Sequence, residues 1–526
     1  MTMKTLTAAL RVSPQIAPSD IAAIAASGIR SIVCNRPDGE EAGQPAATSI
    51  AAAAAAHGLR FVHIPVAPGT IGERAAAAMA RALAELPAPV LAYCRSGARS
   101  EQLAAMAAAL GKDGDASAWD IVVVGGGSAG IATAASILRR RQGVRLAIVE
   151  PSEDHYYQPG WTMVGGGIFT PGATRRAEAG LIPAGAEWIR AAAAAFDPAN
   201  DRVILADGRA VSYRVLVVCP GLKIDWEAIP GLSGALGTGG VTSNYRYDLA
   251  PYTDRLVRRF RGGRALFTQP PMPIKCAGAP QKAMYLACHR WEREGRLGKA
   301  EVQFHAATPA LFGVAAYVPA LEAYIARYGI DLQLQSRLVS IDGAAKVAIF
   351  EQNRGDEIRR VEERFDMIHV VPPQVAPDFV AASPLAAPSG FVAVDETTLR
   401  HPVHDNVFAL GDVAATTNAK TAAAARKQAP VVALNALAAL DGAPPVAAYD
   451  GYGSCPLTVE AGRIVLAEFG YGGKLLPTFP KWLIEGTRPS RLSWLLKEKI
   501  LPPVYWHGML RGREWLAAPR LAGEGG

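Results

Sequence analysis

WDIVVVGGGSAGIATAASILRRRQGVRLAIVEP, residues 119–151, decides the fold. It reads as a strand, a helix and a second strand. Gly125, Gly127 and Gly130 make G-x-G-x-x-G directly after the apolar strand Ile121–Val124. The helix that follows presents its free amino-terminal N–H groups to a pyrophosphate. Glu150 ends the second strand, where a carboxylate accepts from ribose hydroxyls. Alone, a glycine fingerprint is weak. With a strand before it, a helix after it and the acid in place, it predicts a bound dinucleotide.

Further down the chain, NVFALGDVAATTNAKTAAAARKQ (residues 406–428) puts Gly411-Asp412 after another apolar strand. This resembles the second FAD signature of flavoproteins with two dinucleotide folds. The resemblance implies that Asp412 holds the ribityl chain. It also implies that the helix starting near Lys420-Thr421 aims its positive end at the flavin N1/O2 edge. Between the two signatures lies GRALFTQPPMPIKCAGAPQKAMYLA (residues 263–287), which has no second glycine fingerprint. A nicotinamide donor is therefore disfavoured, and a thiol or sulfide donor near Cys276 fits better.

Upstream, LAYCRSGARSEQL (residues 91–103) follows an apolar strand and opens a helix. Inward-pointing N–H groups and the helix terminus stabilise a thiolate, so Cys94 is expected to have a depressed pKa, in the ~3.5–7.5 range of activated cysteines. Tyrosine phosphatases use Cys-x5-Arg, whereas only four residues separate Cys94 from Arg99. The loop resembles the rhodanese loop, which holds one extra sulfur on its cysteine. The neighbouring HIPVAPG (residues 63–69) has no Asp to act as general acid. With NRPDGEEAGQP (residues 35–45) and HIPV, the unit resembles a family with a phosphatase-like fold and a rhodanese-type loop. Asp38, Glu40 and Glu41 read as polar turn residues, and Cys34 as core.

Beyond residue 119, GGGSAGI, EPSEDHYYQPGWTMVGGG, PMPIKCAGAPQKAMYL, FALGD, AKTAAA, YDGYGSCPL and RIVLAEF occur in order. Together they resemble sulfide:quinone oxidoreductase of the mitochondrial type, over roughly residues 119–515. The resemblance implies FAD as cofactor, sulfide or persulfide as substrate and a redox cysteine pair. It further implies quinone as electron acceptor at a membrane surface, and a small thiol or sulfite as sulfur acceptor. Cys276 aligns with the first redox cysteine, flanked by Lys275 and Lys282. The second is expected directly after the Gly-Asp pair, where this chain has Val413. Three alternatives follow: Cys219 substitutes, Cys276 works alone through a persulfide, or sulfide chemistry is lost. Cys288 reads as packing, and Cys455 matches the motif SCPL without an assigned role.

The resulting fold class is α/β: a small phosphatase-like parallel-sheet domain (residues 1–112), then a flavoprotein with two dinucleotide folds (residues 119–442), then a carboxy-terminal segment (residues 443–526). The FAD half is expected at 119–240 and 345–442, the middle half at 241–344, and the boundary at Gly111–Asp115. Six cysteines in 526 residues exclude a disulfide scaffold, and no C-x-x-C pair suggests zinc; no metal is expected. No apolar leader or run of ~18–20 apolar residues is present, which predicts a cytoplasmic chain. A net charge of +7 is mild for this length and gives no case for nucleic acid. The carboxy-terminal mixture of Trp482, Trp494, Tyr505, Trp506 and Trp515 with Lys481, Arg491, Lys497, Lys499 and Arg511 suits a peripheral helix on the inner face of a membrane. Taken together these features read as sulfide oxidation by the flavoprotein half coupled to sulfane-sulfur transfer through Cys94. The rival readings are an NAD(P)H-dependent flavoprotein fused to a phosphatase, and a non-catalytic flavin redox sensor.

Overall fold

A computed structural model describes residues 3–69, 71–109, 118–355 and 357–521. The expected boundary at 111–115 lies outside the described residues. The chain divides into two compact units, Met1–Ala118 with Asp197–Arg202, and Trp119–Phe196 with Val203–Gly526.

The first unit has a five-stranded sheet in the order Lys4–Thr7, Leu10–Ser13, Val90–Tyr93, Ser31–Cys34, Arg60–His63. The first two strands are antiparallel, and the rest pair in parallel. Sequence periodicity missed the opening hairpin, because Lys4–Thr7 is short, polar and mostly exposed. The central strands Ser31–Cys34 and Val90–Tyr93 are buried at every position. They therefore read as continuous apolar runs, as strands covered on both faces do.

The second unit is built on two main sheets. In the first, Trp119–Val124 lies between Leu146–Val149 and Ala210–Val218, all in parallel. Val407–Ala409 adds to Ala210–Val218 in parallel. Helix Ser128–Arg140 crosses between the first two strands and is buried from Ala129 to Ile137. The second sheet runs Val241–Thr242, Met367–His369, Gly263–Gln269, Ala300–Ala306, Asp331–Leu334, entirely parallel. Met367–His369 belongs to this sheet, so the chain returns to the FAD half only after residue 369, later than the expected 345. The intervening antiparallel strands Ser336–Asp342, Val347–Asn353 and Ile358–Arg364 mix apolar and polar residues on a half-exposed sheet, which hid the late return.

Residues 443–521 form no separate body. The hairpin Gly453–Glu460/Arg463–Phe469 buries Cys455, Leu457, Val459, Val465 and Ala467 in the core of the middle half. Farther on, Tyr505, Trp506, Met509 and Leu510 enter the core of the FAD half. Those two aromatics are therefore packing residues, not part of a lipid-facing surface. Trp482, Leu492, Leu495 and Ile500 do remain exposed. No helix among the described residues is long and apolar enough to cross a membrane.

Candidate active site

The glycine loop is shaped by close approach. A Cβ on Gly125, which has φ +109°, would lie 2.5 Å from the Cys219 carbonyl oxygen; one on Gly130 would lie 1.8 Å from the Gly125 oxygen. Gly127, at the start of the helix, faces open space. That combination leaves a turn pressed against the protein on one side and free on the other, which fits a pyrophosphate. Glu150 accepts from the Gly126 N–H at 2.7 Å and from the Ser152 N–H at 2.8 Å. Burial raises its carboxyl despite these two bonds.

Strand Val407–Ala409 delivers Gly411-Asp412 to the same edge of the sheet, and a Cβ on Gly411 would sit 3.2 Å from Ala129. Burial raises the Asp412 carboxyl, with Lys275 and Lys420 opposing it. Lys420 donates to the Asp412 and Ala414 carbonyls, each at 2.8 Å, and lies 4.5 Å from the centre of the Phe391 ring. Burial lowers its pKa to about 8. The helix Ala422–Leu440 begins next to it, capped by the Thr421 hydroxyl, which accepts from the Ala424 N–H. Two glycine turns and a helix terminus thus converge as an FAD cradle requires.

Cys276 stands in the turn before helix Ala279–Arg293, at φ +51°, a conformation that non-glycine residues adopt at a cost. Its N–H donates to the Lys420 carbonyl at 2.8 Å, tying it to the Asp412 loop. Its sulfur lies 3.3 Å from that of Cys455 and accepts from the Lys282 ammonium at 3.1 Å. Gly278 makes the approach possible, since a Cβ there would meet the Cys455 sulfur at 2.9 Å and Leu457 at 2.0 Å. Lys497, only 3% exposed, donates to the Pro159 carbonyl and adds a further buried cation near the pair. The hydrogen bond from Cys455 holds the Cys276 thiol well below its usual pKa; the Lys282 and Lys497 charges help against the opposing effect of burial. The same bond, with burial, pushes Cys455 well above. The pair therefore shares one proton, with Cys276 as thiolate and Cys455 as thiol.

The sulfur that faces Cys276 is thus that of Cys455, and the position after Asp412 offers none. Val413 is fully buried in the core behind the sheet. The Cys219 sulfur is buried 3.5 Å from the Gly125 carbonyl, away from Cys276, and burial raises its pKa. Cys288 is a core residue. The signal for Cys455 was the motif YDGYGSCPL, but nothing local to it says which sulfur it meets.

In the amino-terminal unit, strand Val90–Tyr93 leads into Cys94, which is 1% exposed, and helix Ala98–Ala109 follows. Gly97, at φ +90°, packs against the Ser13 backbone, and its N–H donates to the Cys94 sulfur at 3.2 Å. Arg99 donates to the Val66 carbonyl at 2.5 Å and to Glu40 at 2.7 Å. The other Glu40 oxygen accepts from Arg36 at 2.6 Å. Glu40 is thus an almost enclosed bridge between two guanidiniums, not the simple turn residue its setting suggested. Cys34 is core, and burial raises its thiol.

Comparison with known proteins agrees with the division into two units. The family model described as "Beta-lactamase hydrolase-like protein, phosphatase-like domain" matches residues 2–111. A beta-lactamase hydrolase-like protein of Agrobacterium fabrum is 39% identical over 101 residues, 19% of this chain and 23% of that one. The mitochondrial sulfide:quinone oxidoreductase of Dictyostelium discoideum is 39% identical over 396 residues, covering 75% of this chain and 86% of the relative. Among solved structures, the sulfide:quinone oxidoreductase of Aquifex aeolicus superposes with a TM-score of 0.63 at 18% identity, over 76% of this chain and 97% of that one.

Proposed function

We infer the function from one premise: this chain belongs to the sulfide:quinone oxidoreductase family. It is an FAD-dependent enzyme that oxidises sulfide and delivers the electrons to quinone, carrying an added phosphatase-like domain at its amino terminus. For the residues that perform this, we propose Cys276 and Cys455 as the redox pair. The observation that carries the assignment is their 3.3 Å approach, with the Lys282 ammonium on Cys276.

In the disulfide form of the pair, hydrosulfide attacks one sulfur. An S–S bond to the incoming sulfur forms, the cysteine–cysteine bond breaks, and its electron pair leaves on the other cysteine as thiolate. Lys282 and Lys497 stabilise that thiolate by their charge. A small thiolate or sulfite then takes the outer sulfur, leaving two cysteine sulfurs in contact. FAD, when bound in this cradle, would supply the two-electron sink that lets these two sulfurs rejoin and the route by which the electrons reach quinone. The balance is sulfide, acceptor thiol and quinone giving persulfide and quinol. Gly125, Gly127, Gly130, Glu150, Gly411, Asp412 and Lys420 are proposed to hold the cofactor.

Cys94 is proposed as a sulfane-sulfur carrier, with Arg99 fixing the loop, so that sulfur released from the Cys276–Cys455 pair is passed onward within one polypeptide. The exposed Trp482, Leu492, Leu495 and Ile500, interspersed with Lys481, Arg491 and Lys499, support peripheral contact with an anionic membrane surface. The test is an anaerobic titration of the flavin with sulfide, then with a short-chain quinone, alongside sulfur transfer to cyanide. Sulfide is expected to bleach the flavin and quinone to restore it. Cys94→Ser is expected to remove sulfur transfer and leave the flavin cycle intact; loss of both, or of neither, would overturn the division of labour.

A further inference from the structure

We propose that Glu40 selects the sulfur donor of the Cys94 loop, admitting donors whose reacting end carries at most one negative charge, such as alkyl persulfides, over dianionic thiosulfate. This rests on the sulfurtransferase reading of the loop and specifies its substrate class.

A loop that binds a dianion needs its closing arginine available. Here the Arg99 guanidinium is committed on both terminal nitrogens, one to the Val66 carbonyl and one to Glu40. Glu40 in turn is held by Arg36, whose side chain is 3% exposed and also donates to Gln15 and Glu41. The side chains of Glu40 and Arg99 are 13% and 11% exposed, so solvent screens the pair little. Burial acts to raise the Glu40 carboxyl, but the bonds from Arg36 and Arg99 outweigh it and hold it below the usual range, so it is ionised. A dianion at Cys94 therefore meets a fixed carboxylate on the very cation that would receive it. Pulling Arg99 free would strip that carboxylate of one of its two arginines. A persulfide makes no such demand. The Cys94 thiolate attacks its outer sulfur, forming a Cys94 S–S bond, breaking the donor S–S bond and expelling the donor thiolate with the electron pair. Nothing is oxidised or reduced overall, and no doubly charged group has to be desolvated. Transfer of the outer sulfur to cyanide then gives thiocyanate and restores the Cys94 thiolate.

The test measures steady-state sulfur transfer to cyanide by the full-length protein, with thiosulfate and with the persulfide of 2-mercaptoethanol, each corrected by the Cys94→Ser blank. The wild type is expected to favour the persulfide in kcat/KM by about tenfold or more, and Glu40→Gln to raise kcat/KM for thiosulfate by about tenfold, chiefly through KM. Glu101→Gln changes charge equally in the same unit, at a carboxylate paired with Lys4 and not with the Cys94-loop arginines, and is expected to leave the donor ratio where it was. If Glu40→Gln does not fold, Glu40→Asp replaces it: its shorter reach loosens one arginine and is expected to shift the ratio the same way by less. A wild type that prefers thiosulfate, or a donor ratio that no Glu40 variant moves, overturns the proposal. Absence of Cys94-dependent transfer from either donor is distinguishable, since it overturns the sulfurtransferase reading itself.

Discussion

Cys94 and Cys276 each follow a parallel strand and precede a helix, yet their surroundings differ in kind. Cys94 has one backbone N–H on its sulfur and an arginine already neutralised by Glu40. Cys276 has a second thiol at 3.3 Å and an ammonium at 3.1 Å. A single thiol can accept and release sulfur but cannot store an electron pair. Two thiols in contact can cycle between dithiol and disulfide and so release two electrons. On the proposed roles the difference is between group transfer and oxidation, and it lies in the number of sulfurs, not in their burial.

Removing the second sulfur breaks the comparison most severely. Cys455→Ser is expected to lower sulfide-dependent quinone reduction by on the order of 10³-fold while the flavin stays bound, because a hydroxyl cannot form the disulfide. Absorbance of the purified variant checks the flavin, and initial rates check turnover. Adding Val413→Cys to this variant is expected to restore nothing, since that side chain lies in the core. Recovery of activity would move the redox partner back to the residue after Asp412.

That pairing also shows how far the sequence could be read. The G-x-G-x-x-G unit, the Cys94 loop and the absence of a second glycine fingerprint are local patterns, and local patterns survive in one dimension. Cys276 and Cys455 are 179 residues apart, joined by a hairpin that folds back into the middle half. Only tertiary packing brings them together. Lys497 sits in a run of lysines and aromatics that reads as a lipid-facing helix, and its burial depends on which face of 491–511 turns inward. Glu40 lies in a polar turn, and its role appears only once Arg36 and Arg99 close on it.

The cations sharpen the comparison by a smaller amount. Lys282→Met removes the charge on Cys276 and is expected to move its alkylation profile to higher pH and to slow sulfide oxidation about tenfold or more. Cys94 alkylation is expected to stay unchanged in the same sample. Lys497 is the subtler case. Burial lowers its pKa to about 8, so it is charged below that pH and neutral above it. Sulfide oxidation is expected to decline by a few fold as pH rises through about 8, because support for the thiolate is withdrawn. Lys420 has a similar pKa, so the assignment needs a variant. Lys497→Met is expected to flatten that limb; a limb that persists in Lys497→Met belongs to Lys420.

The smallest effect is expected at Cys219, and it is informative because the residue borders the glycine loop. Its sulfur faces the Gly125 carbonyl, and a Cβ on Gly130 would meet it at 3.1 Å. Proximity to the cofactor cradle made it a candidate for the missing partner. Its environment argues otherwise: among the described residues no cation contacts it, Glu150 opposes its ionisation, and burial raises its pKa. Cys219→Ala removes one small buried group at a cost of roughly 1 kcal/mol, read as a modest fall in Tm. Turnover with sulfide and quinone is expected to stay within about twofold. A loss approaching that of Cys455→Ser would mean that the electron path runs through the strand end beside the glycine loop, and that two close thiols are not enough to define the site.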